Sequence, residues 1–230
     1  MERIAGIDGC KGGWLVVSQP EDGTSCPEVE FAANLGDVLH DRGIGFAVID
    51  MPIGLVDGPE LRNVEPALRR FLPGKASSVF NTPCRAAVSG GNYAVASALN
   101  RAALGVGLSR QTFGILAKIA EIDGLVARLG QARLREGHPE ASFAVMNGGP
   151  VLAPKRRAEG AKLRRDLLQT AGFDVAPLIH QAKGLQGKLD DLLDAIALLW
   201  TARRHRSGHT ICFPDAPIRD RTNLEMSVIA

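Results

Sequence analysis

The stretch FAVIDMPIGL at residues 46–55 decides how the fold is interpreted, because an apolar run ends there in a carboxylate, Asp50. The same event occurs near the start of the chain, where RIAGIDGCKGGW at residues 3–14 carries an apolar run into Asp8. A buried carboxylate is costly to desolvate unless a cation or hydrogen-bond donors meet it. Two such acids, each at the end of an apolar run, therefore indicate a shared cation.

The apolar runs around these acids predict strands of one sheet. RIAGID (3–8), GWLVVS (13–18) and EVEFAA (28–33) predict three short antiparallel strands, joined by glycine-rich or turn-forming segments. A short helix ending at Gly43 and a fourth strand at FAVID (46–50) follow. The fourth strand does not alternate between apolar and polar residues, which predicts burial on both faces beneath covering helices.

After Asp50 the pattern becomes helical, and we interpret residues 57–129 as a helical insertion that follows the fourth strand. The elements predicted beyond Asp50 are helices at 59–71, 92–104, 109–129, 156–171 and 188–204, a fifth strand within 132–137, and another possible strand at HTICF (209–213). The sequence thus predicts a single α/β domain over residues 1–230, with a mixed five-stranded sheet, flanking helices and the insertion.

Composition bounds the class of protein. A chain of 230 residues with 45% apolar content can bury a full core, and its net charge of +2 does not by itself favour any partner. We find no leader-like start and no apolar run near 18 residues, so we expect a cytoplasmic protein with no membrane partner. Four cysteines without a C-x-x-C pair argue against a disulfide framework or a zinc ribbon.

The segment KLDDLLDAIALLWTARR (188–204) supplies a third group of carboxylates. One apolar stripe with helical spacing comprises Leu189, Leu192, Leu193, Ile196, Leu199 and Trp200. Asp191 and Asp194 lie off this stripe, three residues apart, where they could ligate one cation together. Acids in a first helical turn often serve the helix dipole alone, and this alternative stays open for Asp190 and Asp191. Asp194 is one turn further in and is expected to be buried.

A basic stretch precedes that helix. Residues 155–166, KRRAEGAKLRRD, hold six Lys or Arg against two acids. This excess could face a polyanion, and Lys155 is our candidate contact within it; an ordinary solvated helix face is the alternative.

Taken together, the order of these features resembles the ribonuclease H-like superfamily, especially its RuvC-type resolvase branch. More closely, the chain resembles the domain-of-unknown-function 429 family of predicted ribonuclease H-like nucleases, from about residue 3 to about residue 214. The motifs that carry this resemblance are GIDGCKGGW (6–14), IDMPIGL (49–55), SSVFNTPCR (77–85), LSRQTFGILAKIAEID (108–123), HPEASF (138–143), NGG (147–149) and LDDLLDAIALLWTA (189–202). The segment RNVEPALRRFL (62–72) departs from the family, which usually has Cys/Ala-Asp-Arg there, so the role of the insertion helix is left open.

The resemblance implies a nuclease that hydrolyses phosphodiester bonds by a two-metal-ion mechanism, which needs several convergent carboxylates. Asp8, Asp50, Asp191 and Asp194 supply that number as metal ligands and catalytic acids. Oxygen-only ligands suit Mg²⁺ or Mn²⁺ and argue against zinc. Glu140 is a further catalytic candidate, or equally an acid placed for the dipole of the next helix.

The expected partner is a nucleic acid, either DNA or RNA, and the sequence does not indicate an oligomeric state. Candidate substrate-binding residues are Lys11, Ser78, Arg85, Lys118, His138 and Lys155. For most of these an ordinary structural role is the alternative: the glycines around Lys11 suit a tight turn, the loop of Ser78 and Arg85 could pack over the sheet edge, and His138 could be a hydrogen-bonded loop histidine rather than a proton shuttle.

Two other classes of function remain open from the sequence. An ATP-dependent phosphotransferase of the actin and sugar-kinase type shares the sheet topology and the glycine-rich first hairpin. Such enzymes normally need two domains of this kind and a second phosphate-binding hairpin, whereas the sequence shows only one meander. A non-catalytic ribonuclease H-like binding module would keep the fold without the chemistry.

Overall fold

The computed structural model describes residues 2–230 as an α/β protein built on one mixed seven-stranded sheet with flanking helices. The strands are β1 (Arg3–Cys10), β2 (Gly13–Pro20), β3 (Glu28–Ala32), β4 (Ile44–Ile49), β5 (Leu134–Gly137), β6 (Cys212–Arg219) and β7 (Glu225–Ile229). Their order across the sheet is β3-β2-β1-β4-β5-β7-β6. β1, β2 and β3 form an antiparallel meander, β4, β5 and β7 run parallel to β1, and β6 is antiparallel to β7.

The helices are α1 (Leu35–Asp41), α2 (Val64–Phe71), α3 (Arg85–Val88), α4 (Tyr93–Leu104), α5 (Arg110–Gly114), α6 (Leu116–Leu129), α7 (Pro139–Asn147), α8 (Ala158–Thr170), α9 (Val175–Gln181) and α10 (Leu189–Arg206), with a 3₁₀ turn at Ala76–Ser78. Within residues 2–230, no helix combines the length and the apolarity that crossing a bilayer requires.

The sheet is larger than the five strands that the sequence predicts. Five of the predicted strands are present in the order β3-β2-β1-β4-β5, and two more continue the sheet beyond β5. The possible strand at HTICF overlaps only the start of β6, and β7 is not predicted at all. Because β7 pairs with β5, the C-terminal residues are part of the sheet rather than a tail.

The insertion is helical, as predicted, with two differences. α2 begins at Val64 rather than at residue 59, and the long helix predicted at 109–129 is divided at Ile115 into α5 and α6. Arg62, in the non-helical segment before α2, is buried in an ion-pair network that the sequence pattern does not reveal.

The two faces of the sheet contribute to different apolar clusters. Ile7 and Ile49 pack with Trp14 and with the buried residues of α1 and α6 on one face. Phe46 and Val48 pack on the other face with the buried residues of α10. Because successive strand side chains point to opposite faces, Asp8, which follows Ile7, belongs to the face that α10 covers.

Gly6 lets α10 cross β1 directly. A Cβ added at Gly6 would lie 2.1 Å from both the Ala195 carbonyl oxygen and the Leu199 amide nitrogen, so the helix backbone rests on the strand at this point. This close contact fixes α10 over the middle of the sheet. It places Asp194, the neighbour of Ala195, beside the end of β1.

Candidate functional site

Asp8 and Asp50 lie on adjacent central strands. β1 and β4 are parallel with Ile7 opposite Ile49, and the amide of Asp50 donates to the Ile7 carbonyl at 3.0 Å. The two acids that follow these partners are therefore neighbours at the carboxyl edge of the sheet. Asp8 is 7% exposed, and its Oδ1 accepts a hydrogen bond of 2.9 Å from the Gly9 amide.

The third acid comes from α10. Asp194 is 2% exposed, as the sequence predicts for an acid one turn inside a covered helix. Lys155 donates from Nζ to Asp194 Oδ2 at 2.5 Å. We call Asp8, Asp50 and Asp194 the acid cluster.

The charges of the acid cluster act on one another. Burial raises the pKa of Asp8 well above its ordinary value, and the charges of Asp194 and Asp50 raise it further. Burial also raises the pKa of Asp50, whereas His138 and Lys155 oppose this rise. The pKa of Asp194 is raised to about 7 by burial, against the opposing effect of Lys155. Burial is therefore the main cause of the raised pKa in all three acids.

Lys155 keeps its proton in this setting. Burial alone would lower the pKa of Lys155, but Asp194, Asp8 and Asp50 together hold that pKa above its ordinary value. The Lys155 ammonium is therefore a positive charge beside carboxylates that accept few hydrogen bonds.

Asp191, predicted as a metal ligand, caps α10. Its Oδ2 accepts a hydrogen bond of 2.8 Å from the Lys188 amide. Asp191 therefore serves the N-terminus of α10, which was the alternative to metal binding for an acid in the first turn. Its charge still contributes to the raised pKa of Asp8, so Asp191 lies at the margin of the acid cluster. The adjacent Asp190 is buried and pairs with Arg156 at 3.2 Å.

Glu140 is committed to a buried ion pair. Arg164 Nη2 donates to its two carboxylate oxygens at 2.8 and 2.9 Å, and Lys75 Nζ lies 3.8 Å away. The charge of Glu140 raises the pKa of both Asp50 and Asp194, so Glu140 adds to the field of the acid cluster. Its role as a catalytic ligand stays a prediction.

The basic stretch is mostly neutralised from within. Lys155, Arg156 and Arg164 pair with Asp194, Asp190 and Glu140, respectively. Arg164 has an exposure of 0%, so it is not available to a nucleic-acid backbone, and the prediction of a polyanion-binding helix is wrong for this residue. α8 itself begins at Ala158, after Lys155 and Arg156.

Two of the predicted substrate contacts, Ser78 and Arg85, have partners inside the protein. Ser78 donates from Oγ to the Lys75 carbonyl at 2.7 Å. Arg85 bridges Asp123 at 2.5 Å and Asp220 at 2.7 Å. These bonds explain both side chains structurally, and their contact with a substrate stays a prediction.

Lys118 and Lys11 lie on either side of the first hairpin. Lys118 donates to the Gly13 carbonyl, and its Nζ lies 4.3 Å from the centroid of the Trp14 ring, so it ties α6 to β2. Lys11 is exposed at the turn between β1 and β2, where it lines an open pocket with Lys188 and Asp191. Of the two lysines, Lys11 has the free position that a substrate contact needs.

His138 borders the acid cluster at the end of β5. Its Nε2 lies 3.4 Å from the Ser78 carbonyl oxygen, and its buried Nδ1 makes no hydrogen bond. A small cleft of about 30 Å³, the acid cleft, is lined by Asp50 and His138 together with residues of the insertion such as Phe80. The insertion thus forms a wall of the site.

A buried network beneath this cleft escapes prediction from sequence. Arg62 Nη2 donates to both carboxylate oxygens of Glu136, at 3.0 and 2.7 Å, and Glu136 also accepts from the Ile53 amide at 2.7 Å. Burial raises the pKa of Glu136 to about 7 against the opposing charge of Arg62. In the sequence, Glu136 is visible only as an acid within a short predicted strand, and this pattern does not identify Arg62 as its partner. The network joins Arg62, in the segment that departs from the family pattern, to β5 and to the loop after Asp50.

Comparison with known proteins identifies a family. The family model described as "Protein of unknown function (DUF429)" matches residues 6–219. The chain belongs to the DUF429 family. The match confirms the DUF429 membership predicted from the sequence, and the ribonuclease H-like nuclease assignment stays a prediction. No curated protein and no solved structure matches the chain.

The donors of this DUF429 protein can be tested against a divalent ion. Within residues 2–230, no three His, Cys, Asp or Glu side chains stand ready as a set to hold one metal ion. The acid cluster nevertheless supplies only carboxylate oxygens, which suit Mg²⁺ or Mn²⁺, and burial holds the pKa of each acid above its ordinary value. The chemistry of the donor set fits a hard cation, with Lys155 on Asp194 as the group that such an ion would displace.

Proposed function

We propose that this DUF429 protein is a metal-dependent nuclease that hydrolyses phosphodiester bonds of a nucleic acid, with Mg²⁺ or Mn²⁺ as cofactor. The observation that carries the proposal is the acid cluster: three carboxylates come together from two adjacent central strands and from the helix that crosses them, burial raises the pKa of each, and few hydrogen-bond donors meet them.

The topology supports this proposal. The order β3-β2-β1-β4-β5, with an antiparallel meander and two further parallel strands, is the arrangement that the resemblance to ribonuclease H-like proteins leads us to expect. Asp8 lies near the end of the first strand and Asp50 follows the fourth, as the resemblance leads us to expect. β7 and β6 are then an extension of the sheet on the side away from the meander.

The residues of the site divide into two roles. When bound, divalent ions would supply water activation and stabilisation of the leaving oxygen. Asp8, Asp50 and Asp194 would hold them with carboxylate oxygens, while Asp191 fixes the start of α10. His138, with its unbonded Nδ1 beside Asp50, is placed to hold a water molecule or a phosphate oxygen by a hydrogen bond. Lys155 offers a proton donor to a phosphate once it leaves Asp194.

The phosphotransferase alternative gains no observation from the structure. Within residues 2–230, β1–β3 form a single meander, and the remaining strands give no second one. The acid cluster supports a nuclease over a binding module, because carboxylates that converge from two strands and a helix are what a two-metal-ion mechanism needs.

Binding of Mn²⁺ tests the proposal. We expect isothermal titration to show Mn²⁺ binding to the wild-type protein and its loss in Asp8→Asn and Asp50→Asn. Asp166→Asn is the matched control, because Asp166 forms an exposed pair with Lys162 at 2.6 Å and should leave Mn²⁺ binding unchanged. Mn²⁺ binding that is equal in all four proteins, or absent from the wild type, would contradict the proposal.

A further inference from the structure

The insertion encloses a second and larger cavity beside the acid cleft. This insertion cavity has a volume of about 350 Å³ and an apolar wall. Its apolar lining includes Val56, Leu61, Leu104, Val106 and Leu108. A cavity of this size lies within the range of small-molecule sites, roughly 300–1,000 Å³, so it can receive a ring-sized organic group.

The insertion cavity and the acid cleft are neighbours. Glu65, Phe80 and Thr82 line both of them. Phe80 is half-buried and presents an aromatic ring at this shared boundary. A molecule that reaches Asp50 can therefore place an adjoining group in the insertion cavity.

Most polar groups around the insertion cavity already form hydrogen bonds within the protein, with one exception. Asn100 accepts from the Cys84 amide at 2.8 Å and donates to the Val106 carbonyl at 2.9 Å. Arg62, which is 4% exposed and lines the cavity, has an Nε that makes no hydrogen bond and lies 3.5 Å from Glu65 Oε1. The lining thus combines apolar walls with buried polar groups that face partners within the protein, which suits a flat, largely apolar ring.

The mouth of the cavity is also apolar. Leu61 is 63% exposed and Val106 is 51% exposed, although both are large hydrophobic side chains. Such exposure is unfavourable in water unless a ligand covers the side chains. Both residues line the cavity, so one ligand can cover both.

We propose that the insertion cavity binds a nucleobase of the substrate, next to the phosphate that the acid cluster handles. This inference rests on the proposed function. The bases are the apolar, ring-shaped groups of a nucleic acid, and stacking on an aromatic side chain contributes about 1–3 kcal/mol per base. A base that enters such a cavity must be unpaired, so the preferred substrate has a single-stranded or extrahelical nucleotide at the cleavage site.

The test compares ligands with and without a base. We would titrate ¹⁵N-labelled full-length protein with AMP, GMP, CMP and UMP, and with ribose 5-phosphate, while recording amide shifts. We expect at least one nucleotide to bind roughly 5-fold to 150-fold more tightly than ribose 5-phosphate, which is the stacking range converted to affinity, and to shift the amides of Leu61 and Val106. Equal affinity for ribose 5-phosphate and all four nucleotides would overturn the inference.

Cavity variants locate the effect. Val106→Trp should fill the mouth and abolish the preference for nucleotides, and Leu61→Ala, at a more exposed position, should reduce it. Val95→Trp is the matched control, because Val95 is 46% exposed and does not line the cavity. Nucleotide affinity that is unchanged in both cavity variants would also overturn the inference.

Mn²⁺ binding, measured on the same variants, separates this inference from the proposed function. A wild type that binds Mn²⁺ but gains nothing from the base contradicts the cavity assignment alone. A wild type that binds nucleotides through the base, with loss of that preference in Val106→Trp but without Mn²⁺ binding, supports the cavity assignment and contradicts the nuclease.

Discussion

At the scale of single residues, hydrogen-bond donors distinguish Asp220 from the acids of the acid cluster. Asp220 is buried, yet its pKa is lowered, because hydrogen bonds from Thr222, Leu224 and Leu55 outweigh the effect of burial. Asp8 has one amide donor, from Gly9, and its pKa is raised well above the ordinary value by burial and by its acidic neighbours. The contrast supports the proposal that the acid cluster, unlike Asp220, receives a ligand that the protein does not supply itself.

The raised pKa values predict how stability depends on pH. A carboxyl group whose pKa is higher in the folded state binds more protons there than in the unfolded state, so stability falls as the pH rises through this window. For Asp194 the window extends from about 4, the unfolded value, to about 7. In EDTA we expect the melting temperature of the wild type to fall between about pH 4 and about pH 7, and that of Asp8→Asn to fall less.

Thermal melts in metal-free buffer across this range check the prediction. Asp166→Asn serves as control, since Asp166 lies in an exposed pair. A melting temperature of the wild type that rises with pH, or identical slopes for wild type and Asp8→Asn, would show that Asp8 is an ordinary structural acid.

Lys155 is predicted to compete with a divalent ion for the acid cluster. Lys155→Met should destabilise the metal-free protein by about 1–3 kcal/mol, less than the loss for a fully buried pair, because the lysine side chain is 36% exposed. The same change should strengthen Mn²⁺ binding, since it removes a positive charge from Asp194. Lys162→Met, which breaks an exposed pair, should alter neither quantity.

Denaturant unfolding and Mn²⁺ titration of the two lysine variants give both numbers. Mn²⁺ affinity that stays the same or weakens in Lys155→Met would show that the lysine does not stand where the ion binds.

Residue types were easier to predict than their partners. The acids at the ends of two strands and in α10 follow from local apolar patterns, so Asp8, Asp50 and Asp194 could be chosen from the sequence. The pairs Arg164 with Glu140 and Arg62 with Glu136 join residues 24 and 74 positions apart, and such pairing depends on the tertiary fold.

At the scale of elements, the contact between β1 and α10 positions the site. A Cβ at Gly6 would meet backbone atoms of α10 at 2.1 Å, and backbone cannot move aside as a flexible side chain can. We expect Gly6→Ala to destabilise the protein by about 1–3 kcal/mol or more, as overpacking does, and to weaken Mn²⁺ binding because Asp194 shifts.

Gly114→Ala is the matched control for this element. Gly114 ends α5, and an added Cβ there would meet nothing within 4 Å. Its substitution should be neutral or stabilise by roughly 0.5–1 kcal/mol, since alanine suits a helix better than glycine. Denaturant midpoints of the two variants decide the matter, and a Gly6→Ala protein as stable as Gly114→Ala would refute the close crossing.

Regular elements were predictable where the periodicity was clean. The first four strands and the helices of the insertion follow apolar patterns, and their observed bounds differ by a few residues. β6 and β7 were missed in whole or in part because β6 contains Pro214 and Pro217, which argue against a strand. β6 is the last strand in the sheet order, and prolines are tolerated at such an edge.

At the scale of the whole molecule, charge is arranged around the acid cluster. Lys11 and Lys188 are exposed on one pocket that also contains Asp191, and neither forms an ion pair within residues 2–230. The insertion cavity lies on the side of Asp50 and Phe80. This arrangement suggests that a nucleic-acid backbone would reach the acids from the lysine side and place a base in the cavity.

Salt dependence tests the lysine side. The double variant Lys11→Gln with Lys188→Gln should bind a labelled oligonucleotide more weakly in Ca²⁺ and should reduce the log–log salt slope by roughly 0.9 for each lost contact with duplex DNA, or 0.7 with single strands. Mn²⁺ binding should be unchanged. The control removes two charges elsewhere, at Arg128 and Lys162. Equal affinity and slope in both double variants would demote the lysines to ordinary surface residues.

The family and the α/β class could be predicted for nearly the whole chain, because the order of the motifs can be read from the sequence without knowing which residues contact one another. The extent of the sheet and the insertion cavity could not be predicted. The cavity forms between α2, α4 and the loop at Phe80, and no local sequence pattern encodes how these elements pack.

Cleavage of nucleic acid is the most direct test of the nuclease proposal. Labelled single-stranded, duplex, hybrid and branched DNA and RNA substrates would be incubated with the wild type and with Asp8→Asn and Asp194→Asn, in Mg²⁺, in Mn²⁺ and in EDTA. We predict that the wild type cuts at least one substrate in a divalent ion and none in EDTA, and that both variants are inactive while Asp194→Asn still binds the oligonucleotide. Absence of cleavage of every substrate, or cleavage that survives both substitutions, would contradict the account.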